Sequence, residues 1–200
     1  MAAPIEFYFD FSSPYGYIAS TRIDALAERH GRSVAWRPIL LGVVFKTTGM
    51  GPLPTVPLKG AYSLRDFERS ARLYGVPFKM PVVFPFNAIV PSRMFYWLQR
   101  RDEGLARRFA QAAYHAAFPG QQDITKAETC ADLAANLGVK REDALAGAND
   151  PAVKDRLRQE VEAAIAKGVF GSPFVIVDGE PFWGADRLDQ IDRWLATGGW

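Results

Sequence analysis

The chain has one cysteine, Cys130, and two histidines, His30 and His115, among 200 residues. A single cysteine excludes an internal disulfide framework, a cysteine-rich zinc site and a Cys-x-x-Cys redox motif. Two isolated histidines leave no His-rich metal site. An excess of charge of either sign is also missing. The 24 basic and 22 acidic residues leave a net charge of +2, far from the basic field expected of a nucleic-acid binder. No run approaches the roughly 18 consecutive apolar residues of a membrane span. Met1-Ala2-Ala3-Pro4 lacks the basic region and apolar stretch of a secretory signal. The expectation is therefore a cytoplasmic protein with neither nucleic-acid nor membrane partners. What the chain does have is 48% hydrophobic and 23% charged residues, the proportions of a packed domain. That suffices for a sizeable core without staples. Reactive chemistry must come from ordinary side chains or from a borrowed cofactor.

The first forty residues read as strand, helix, strand. Ile5, Phe7, Phe9 and Phe11 alternate with Glu6, Tyr8 and Asp10, the period-two pattern of a strand with one apolar face. Ser12-Ser13-Pro14 interrupts it, with serine as N-cap and proline at the first helical position. Ala19, Ile23, Leu26, Ala27 and His30 then share one face of a single helix that Gly31 stops. Val34 to Trp36 with Ile39 and Leu40 gives a second strand, and a βαβ unit favours a parallel pair. Near the other end, Phe174 to Val177 and Glu180 to Trp183 flank Asp178-Gly179, a strong hairpin signal. A closing helix follows with Leu188, Ile191 and Leu195 on one face.

Between Leu41 and Gly168 the periodicity is almost wholly helical. Leu64, Phe67, Ala71 and Tyr74 form one stripe, and Gly104 is the expected break within Ser92 to Phe118. Thr125 to Glu128 reads as a capping box, opening a helix with Cys130, Leu133, Ala134 and Leu137 inward. Asp150-Pro151 starts the last inserted helix. The segment from Gly49 to Gly60 reads as a loop.

Two features carry potential chemistry. Ser13-Pro14 lies at the junction of strand and helix, and Gly171-Ser172-Pro173 lies just before a strand, where a cis peptide is possible. Taken singly, Ser-Pro at a helix start is ordinary capping, and most X-Pro bonds are trans. Jointly they are more specific. This βαβ opening, long helical insertion and Pro–strand–hairpin–helix close resembles the thioredoxin fold of the periplasmic disulfide oxidases. Those proteins carry Cys-Pro-x-Cys at the turn occupied here by Ser13-Pro14-Tyr15-Gly16, so both redox thiols are absent. A narrower resemblance rests on Phe7 to Tyr15, Phe170 to Pro173 and Trp183 to Leu188, in that order. Together these resemble the kappa-class glutathione transferase family, and within it the bacterial 2-hydroxychromene-2-carboxylate isomerases. The implied architecture is α/β. A thioredoxin-like βαβ…ββα domain spans residues 1–40 plus 169–200, and a large all-helical insertion spans 41–168.

The resemblance implies glutathione as cofactor, a small aromatic substrate and a homodimer. The thiol of glutathione has a pKa near 8.5, and only its thiolate is a good nucleophile. A helix N-terminus favours that anion, and the Ser13 hydroxyl can donate to the sulfur. Ser13 then stabilises the nucleophile, since no histidine base stands near it to activate its own oxygen. Ser172, before Pro173, is expected to exchange main-chain bonds with the cysteinyl backbone as an added strand does. Ala185 and Asp186 match positions that hold the γ-glutamyl end, or else simply open a helix with an acid. Lys59 matches a lysine reaching the glycyl carboxylate, or is a solvated loop lysine. Met50 stands where the family commonly has asparagine and cannot donate the same bond, which favours a more apolar substrate. Asn87 and Arg93, beside Phe84, Phe86 and Phe95, are expected to receive a substrate carboxylate and ring. The alternative there is capping by Ser92 with an exposed Arg93. Cys130 reads as core packing. Three functions follow: glutathione-dependent isomerisation of a 2-hydroxychromene-2-carboxylate to a benzylidenepyruvate, glutathione conjugation or peroxide reduction, and non-catalytic peptide binding beside Pro173.

Overall fold

A computed structural model of the protein describes residues 3–200. Strand β1 (Ile5–Phe9) pairs in parallel with β2 (Val34–Pro38), setting Phe7 opposite Trp36. On its other edge β1 pairs antiparallel with β3 (Phe174–Val177), and β3 with β4 (Glu180–Trp183). The sheet order is β2-β1-β3-β4. The expected βαβ opening and hairpin close are both present. Asp178 and Gly179 at the hairpin turn have φ of 52° and 93°, the paired positive angles of a two-residue turn that matches strand twist.

One face of β1 presents Phe7 and Phe9, whose rings stand 5.1 and 5.3 Å from Trp36. The opposite face is covered as well. Tyr8 is buried, and Glu6 is ion-paired with Lys167 at 2.7 Å. The strand read as having one apolar face is thus covered on its second face too, where the polar residues of the alternation find partners within the protein.

The first helical segment is two helices, α1 (Pro14–Ser20) and α2 (Ile23–Arg29). The expected single helix is broken at Thr21 and Arg22, where neither glycine nor proline marks the change. Both halves bury their apolar residues in the same core, so one periodicity runs across the break. After β2 come α3 (Leu41–Thr48) and α4 (Lys59–Leu73), with a 3₁₀ turn at Leu53–Thr55 between them. Phe67 and Ala71 of α4 are buried, while Leu64 is exposed.

Helices α5 (Ile89–Gln99) and α6 (Glu103–Ala117) separate at Arg100–Asp102, not at Gly104. Asp102 caps α6 through the Leu105 N–H, and a polar cap decides the start against a lone glycine. The capping box at Thr125 does not form. The Thr125 hydroxyl donates to Asp123, and α7 (Ala127–Ala135) begins after an uncapped Lys126. Short α8 (Arg141–Ala148) precedes α9 (Pro151–Ala166), which Asp150 caps as expected. After β4, a 3₁₀ turn (Ala185–Arg187) leads into α10 (Leu188–Thr197). Buried residues of the sheet and of the inserted helices form one continuous cluster. No helix among the described residues is long and apolar enough to cross a membrane.

Candidate active site

The end of β1 turns sharply into α1, and the turn is organised by Asp10. Its Oδ1 accepts both the N–H and the hydroxyl of Ser12, each at 2.7 Å, an Asx turn. Its Oδ2 accepts the Leu41 N–H at 2.7 Å, supplying the cap that Leu40 cannot give α3. Its backbone carbonyl accepts from the Ser13 N–H at 2.8 Å and the Tyr114 hydroxyl at 2.9 Å. Burial pushes the Asp10 carboxyl above its ordinary range, against the pull of the Leu41 and Ser12 N–H groups and the Ser12 hydroxyl.

Ser13 sits at the head of α1 in extended conformation and is only 5% exposed. Its Oγ accepts the Gly16 N–H at 3.0 Å and donates to the Ser172 carbonyl at 2.9 Å. Pro14 has no N–H, and Gly16's is taken by Ser13. The Tyr15 N–H is left without a partner among the described residues. The Ser172–Pro173 bond is cis. The Ser172 hydroxyl accepts the Asp10 N–H at 2.9 Å, and the Gly184 N–H reaches the Pro173 carbonyl at 3.1 Å. Ser13, Ser172 and Pro173 are therefore brought together.

Gly16 stands where the disulfide oxidases carry their second thiol. A Cβ there would fall 2.6 Å from the Tyr114 hydroxyl and 2.8 Å from the Ser172 hydroxyl. A side chain there would have to displace one of these two hydroxyls, so the packing as well as the sequence favours glycine.

Two elements pack against α1. One is the 3₁₀ turn Ala185–Arg187, with Ala185 buried and the Asp186 carboxylate exposed, 3.4 Å from Arg187. Helix α4 is the second. There the Tyr15 hydroxyl bonds Asp66, and its ring meets Phe67 at 4.9 Å. Burial and the Asp66 bond push the Tyr15 phenol up. Against burial, bonds from Tyr15 and Arg69 hold Asp66 below the usual carboxylate range. Lys59 begins α4, exposed and free of any ion pair among the described residues. It follows a γ-turn at Leu58, whose φ is 65°, closed by the Lys59 N–H on Pro57 O at 2.8 Å.

The other expected residues lie on different segments. Met50 is exposed just after the αL glycine that ends α3. Asn87 Oδ1 accepts the Ile89 N–H at 2.9 Å, so Asn87 rather than Ser92 serves the start of α5. Ser92 is inside that helix and fully buried, and Arg93 is half-buried with its Nε lacking a partner among the described residues. Phe95 is fully buried against Phe9 and Tyr96, which leaves Phe84 and Phe86 as the reachable rings. Cys130 lies in the core with its thiol on the Ile124 carbonyl, and burial pushes it up to about 12.

Three residues that organise the site escaped the sequence reading. Asp10 had a signal, the Asp-x-Ser spacing of an Asx turn, masked by the alternation of β1. Tyr114 and Asp66 had none, since each reaches the turn from a distant helix. A cavity of about 380 Å³ lies at the far end of β3 from Pro173, lined by Arg32, Asp178, Glu180 and Trp194. Its arginine and Asp178 are already paired at 2.7 Å.

A family described as the DSBA-like thioredoxin domain matches residues 4–196. The 2-hydroxychromene-2-carboxylate isomerase of Sphingobium xenophagum is 31% identical over 198 residues, covering 98% of this chain and 99% of that protein. Glutathione S-transferase kappa 2 of Caenorhabditis elegans is 33% identical over 210 residues, covering 96% and 91%. A solved 2-hydroxychromene-2-carboxylate isomerase superposes with a TM-score of 0.85 at 27% identity, covering 97% of this chain and 95% of that one. The chain thus belongs to the DSBA-like thioredoxin domain family and, within it, to the enzymes that comprise the 2-hydroxychromene-2-carboxylate isomerases and the kappa-class glutathione transferases.

Proposed function

We propose that this enzyme isomerises 2-hydroxychromene-2-carboxylate-type aromatic compounds to benzylidenepyruvates, with glutathione as cofactor. The observation that carries the reading is the Ser13 hydroxyl at the head of α1, 2.9 Å from the carbonyl before a cis proline, beside a Gly16 that carries no second thiol. The residues present fit glutathione. Ser13 and the free Tyr15 N–H offer two donors to a sulfur anion. Asp186 and Lys59, of opposite charge on the two elements packed against α1, suit the ammonium and carboxylate ends of a zwitterionic tripeptide. The main chain of Ser172 suits its middle. When bound, glutathione would supply a nucleophilic thiolate and leave the reaction unconsumed, its sulfur held by the Ser13 hydroxyl and the Tyr15 N–H.

The Ser13 hydroxyl carries one proton. In the structure it goes to the Ser172 carbonyl; turning it toward a thiolate exchanges a neutral bond for a charge-assisted one, roughly twice as strong. The Gly16 N–H continues to donate to the same oxygen and polarises it. Helix α1 has only seven residues, so its dipole is weaker than a full-length helix would supply. The directed donors therefore do most of the stabilisation. The Tyr114 phenol, held well above its ordinary pKa by burial, stays neutral and fixes the Asp10 carbonyl that seats Ser13.

The test is turnover of a 2-hydroxychromene-2-carboxylate against glutathione concentration, with free thiol counted throughout. A rate that requires glutathione while thiol stays constant supports isomerisation. Net thiol loss supports the transferase or peroxidase reading, which the kappa-class relative favours. A peptide-binding protein without catalysis gives no thermal stabilisation by glutathione, whereas a ligand at 100 times its Kd adds about 2.7 kcal/mol. A cytoplasmic homodimer is part of the same reading.

A further inference from the structure

Helix α4 carries Lys59 at its first position, and few contacts fix that end. No residue from 49 to 59 is buried, so the chain between α3 and α4 adds no anchor to the core. The 3₁₀ turn Leu53–Thr55 belongs with the helix, since a Cβ on Gly60 would fall 2.4 Å from the Pro54 carbonyl. Ser63, buried near Lys59, donates to the Gly60 carbonyl of its own helix at 2.8 Å. The opposite end is held separately, where the Arg22 guanidinium lies 4.0 Å over the Tyr74 ring. Between these ends stand Asp66 and Phe67, and both meet Tyr15 of α1.

The Asp66 carboxylate is filled by its bonds. The Tyr15 hydroxyl donates to Oδ2, while Arg69 and the Tyr62 hydroxyl, the latter at 3.3 Å, donate to Oδ1. Tyr62 and Arg69 lie on α4 itself, so Tyr15 is the partner that joins this acid to the Ser13 turn. Lys59 stands seven residues before Asp66, two turns to within about 20°. It therefore shares the Asp66 face, about 10 Å along the axis. Tyr15 also carries the free N–H at the head of α1. One residue thus offers a donor near Ser13 and, through its phenol, holds the helix that presents Lys59.

We infer that Tyr15 and Asp66 are a positioning pair that sets the spacing between the Ser13 turn and Lys59, and so selects a thiol peptide whose carboxylate lies one residue beyond its cysteine. This rests on reading Ser13 and Lys59 as the sulfur and carboxylate subsites of glutathione. Two subsites discriminate by ligand length when their spacing is held before binding.

The probes are glutathione and γ-glutamylcysteine, which lacks the glycine, each titrated calorimetrically into the intact protein. A surface ion pair is worth up to about fivefold in affinity. Wild type is expected to prefer glutathione by about that factor, and Lys59→Ala to lose the preference. Tyr15→Phe keeps the ring on Phe67 and the free N–H. It is expected to cut the preference below about twofold by weakening glutathione alone. Asp66→Ala, which removes the acceptor from the α4 side, is expected to match it, and Tyr62→Phe, which removes a bond internal to α4, to keep the wild-type preference. Adding Tyr15→Phe to Lys59→Ala is expected to change nothing further. Full preference in both Tyr15→Phe and Asp66→Ala overturns the assignment, as does equal weakening of the two thiols or an undiminished effect of Tyr15→Phe in the Lys59→Ala background. A wild type that binds both thiols alike overturns it through Lys59 and leaves the cofactor standing, whereas a wild type that binds neither overturns the cofactor and this pairing together.

Discussion

Replacing Gly16 by alanine puts a methyl group into a space bounded by three neighbours. The new carbon would stand 2.6 Å from the Tyr114 hydroxyl, 2.8 Å from the Ser172 hydroxyl and 3.1 Å from the Ser13 Cβ. None yields freely. Tyr114 is fully buried and bonded to the Asp10 carbonyl, and the Ser172 hydroxyl is held by the Asp10 N–H. Overpacking of this kind costs about 1–3 kcal/mol, while alanine regains up to about 1 kcal/mol of helix propensity. The net expectation is a loss of about 1–2 kcal/mol, or roughly 2–8 °C in Tm for a chain of this size. Urea unfolding measures it. Tyr114→Phe removes the nearest atom, so the cost of Gly16→Ala in that background is expected to fall by at least about 0.5 kcal/mol, the coupling typical of touching residues. Gly16→Ala at or above wild-type stability, or an equal cost in both backgrounds, refutes the packing argument.

Further expectations concern buried groups. Because burial raises the Asp10 carboxyl, the folded state holds that proton more tightly than the unfolded chain. The resulting stability is complete below the unfolded carboxyl pKa and is lost as pH climbs through the raised folded value. Wild-type stability relative to Asp10→Asn should therefore decline from acid toward neutral pH in urea titrations; a flat difference contradicts this. Cys130, with its thiol pushed up to about 12, should resist an aromatic disulfide reagent at neutral pH and titrate as one thiol after unfolding. Rapid labelling of the native protein counts against the core assignment. Gly179, at φ of 93°, should lose about 1 kcal/mol or more as alanine, read by chemical denaturation, and a neutral change contradicts the turn.

Local chemistry was legible in the sequence and distant chemistry was not. The hairpin could be read because Asp178 and Gly179 decide their own turn, and the cap at Ser13 because Ser-Pro decides its own helix start. Pro173 needed the second motif to give it meaning. Helix boundaries failed where tertiary packing or a competing acceptor intervened. Arg22 interrupts a helix whose apolar stripe continues past it, and Asp123 takes the Thr125 hydroxyl that would have capped α7. The same reason hid half of the site. Asp10 looked like the polar side of a strand because nothing local shows that both faces of the sheet are covered, and Tyr114 lies 104 residues from the carbonyl it holds.

The central claim is that Ser13 stabilises a thiolate supplied by glutathione. Its most direct test is the ultraviolet absorbance of the thiolate, titrated with pH for glutathione bound to wild type and to Ser13→Ala. Loss of a hydrogen bond to a charged group is worth about 1.5–3 kcal/mol, so the bound thiol is expected to titrate about 1 to 2 pH units higher in the variant, with the fold intact. Superimposable titrations of the two proteins would remove Ser13 from the chemistry.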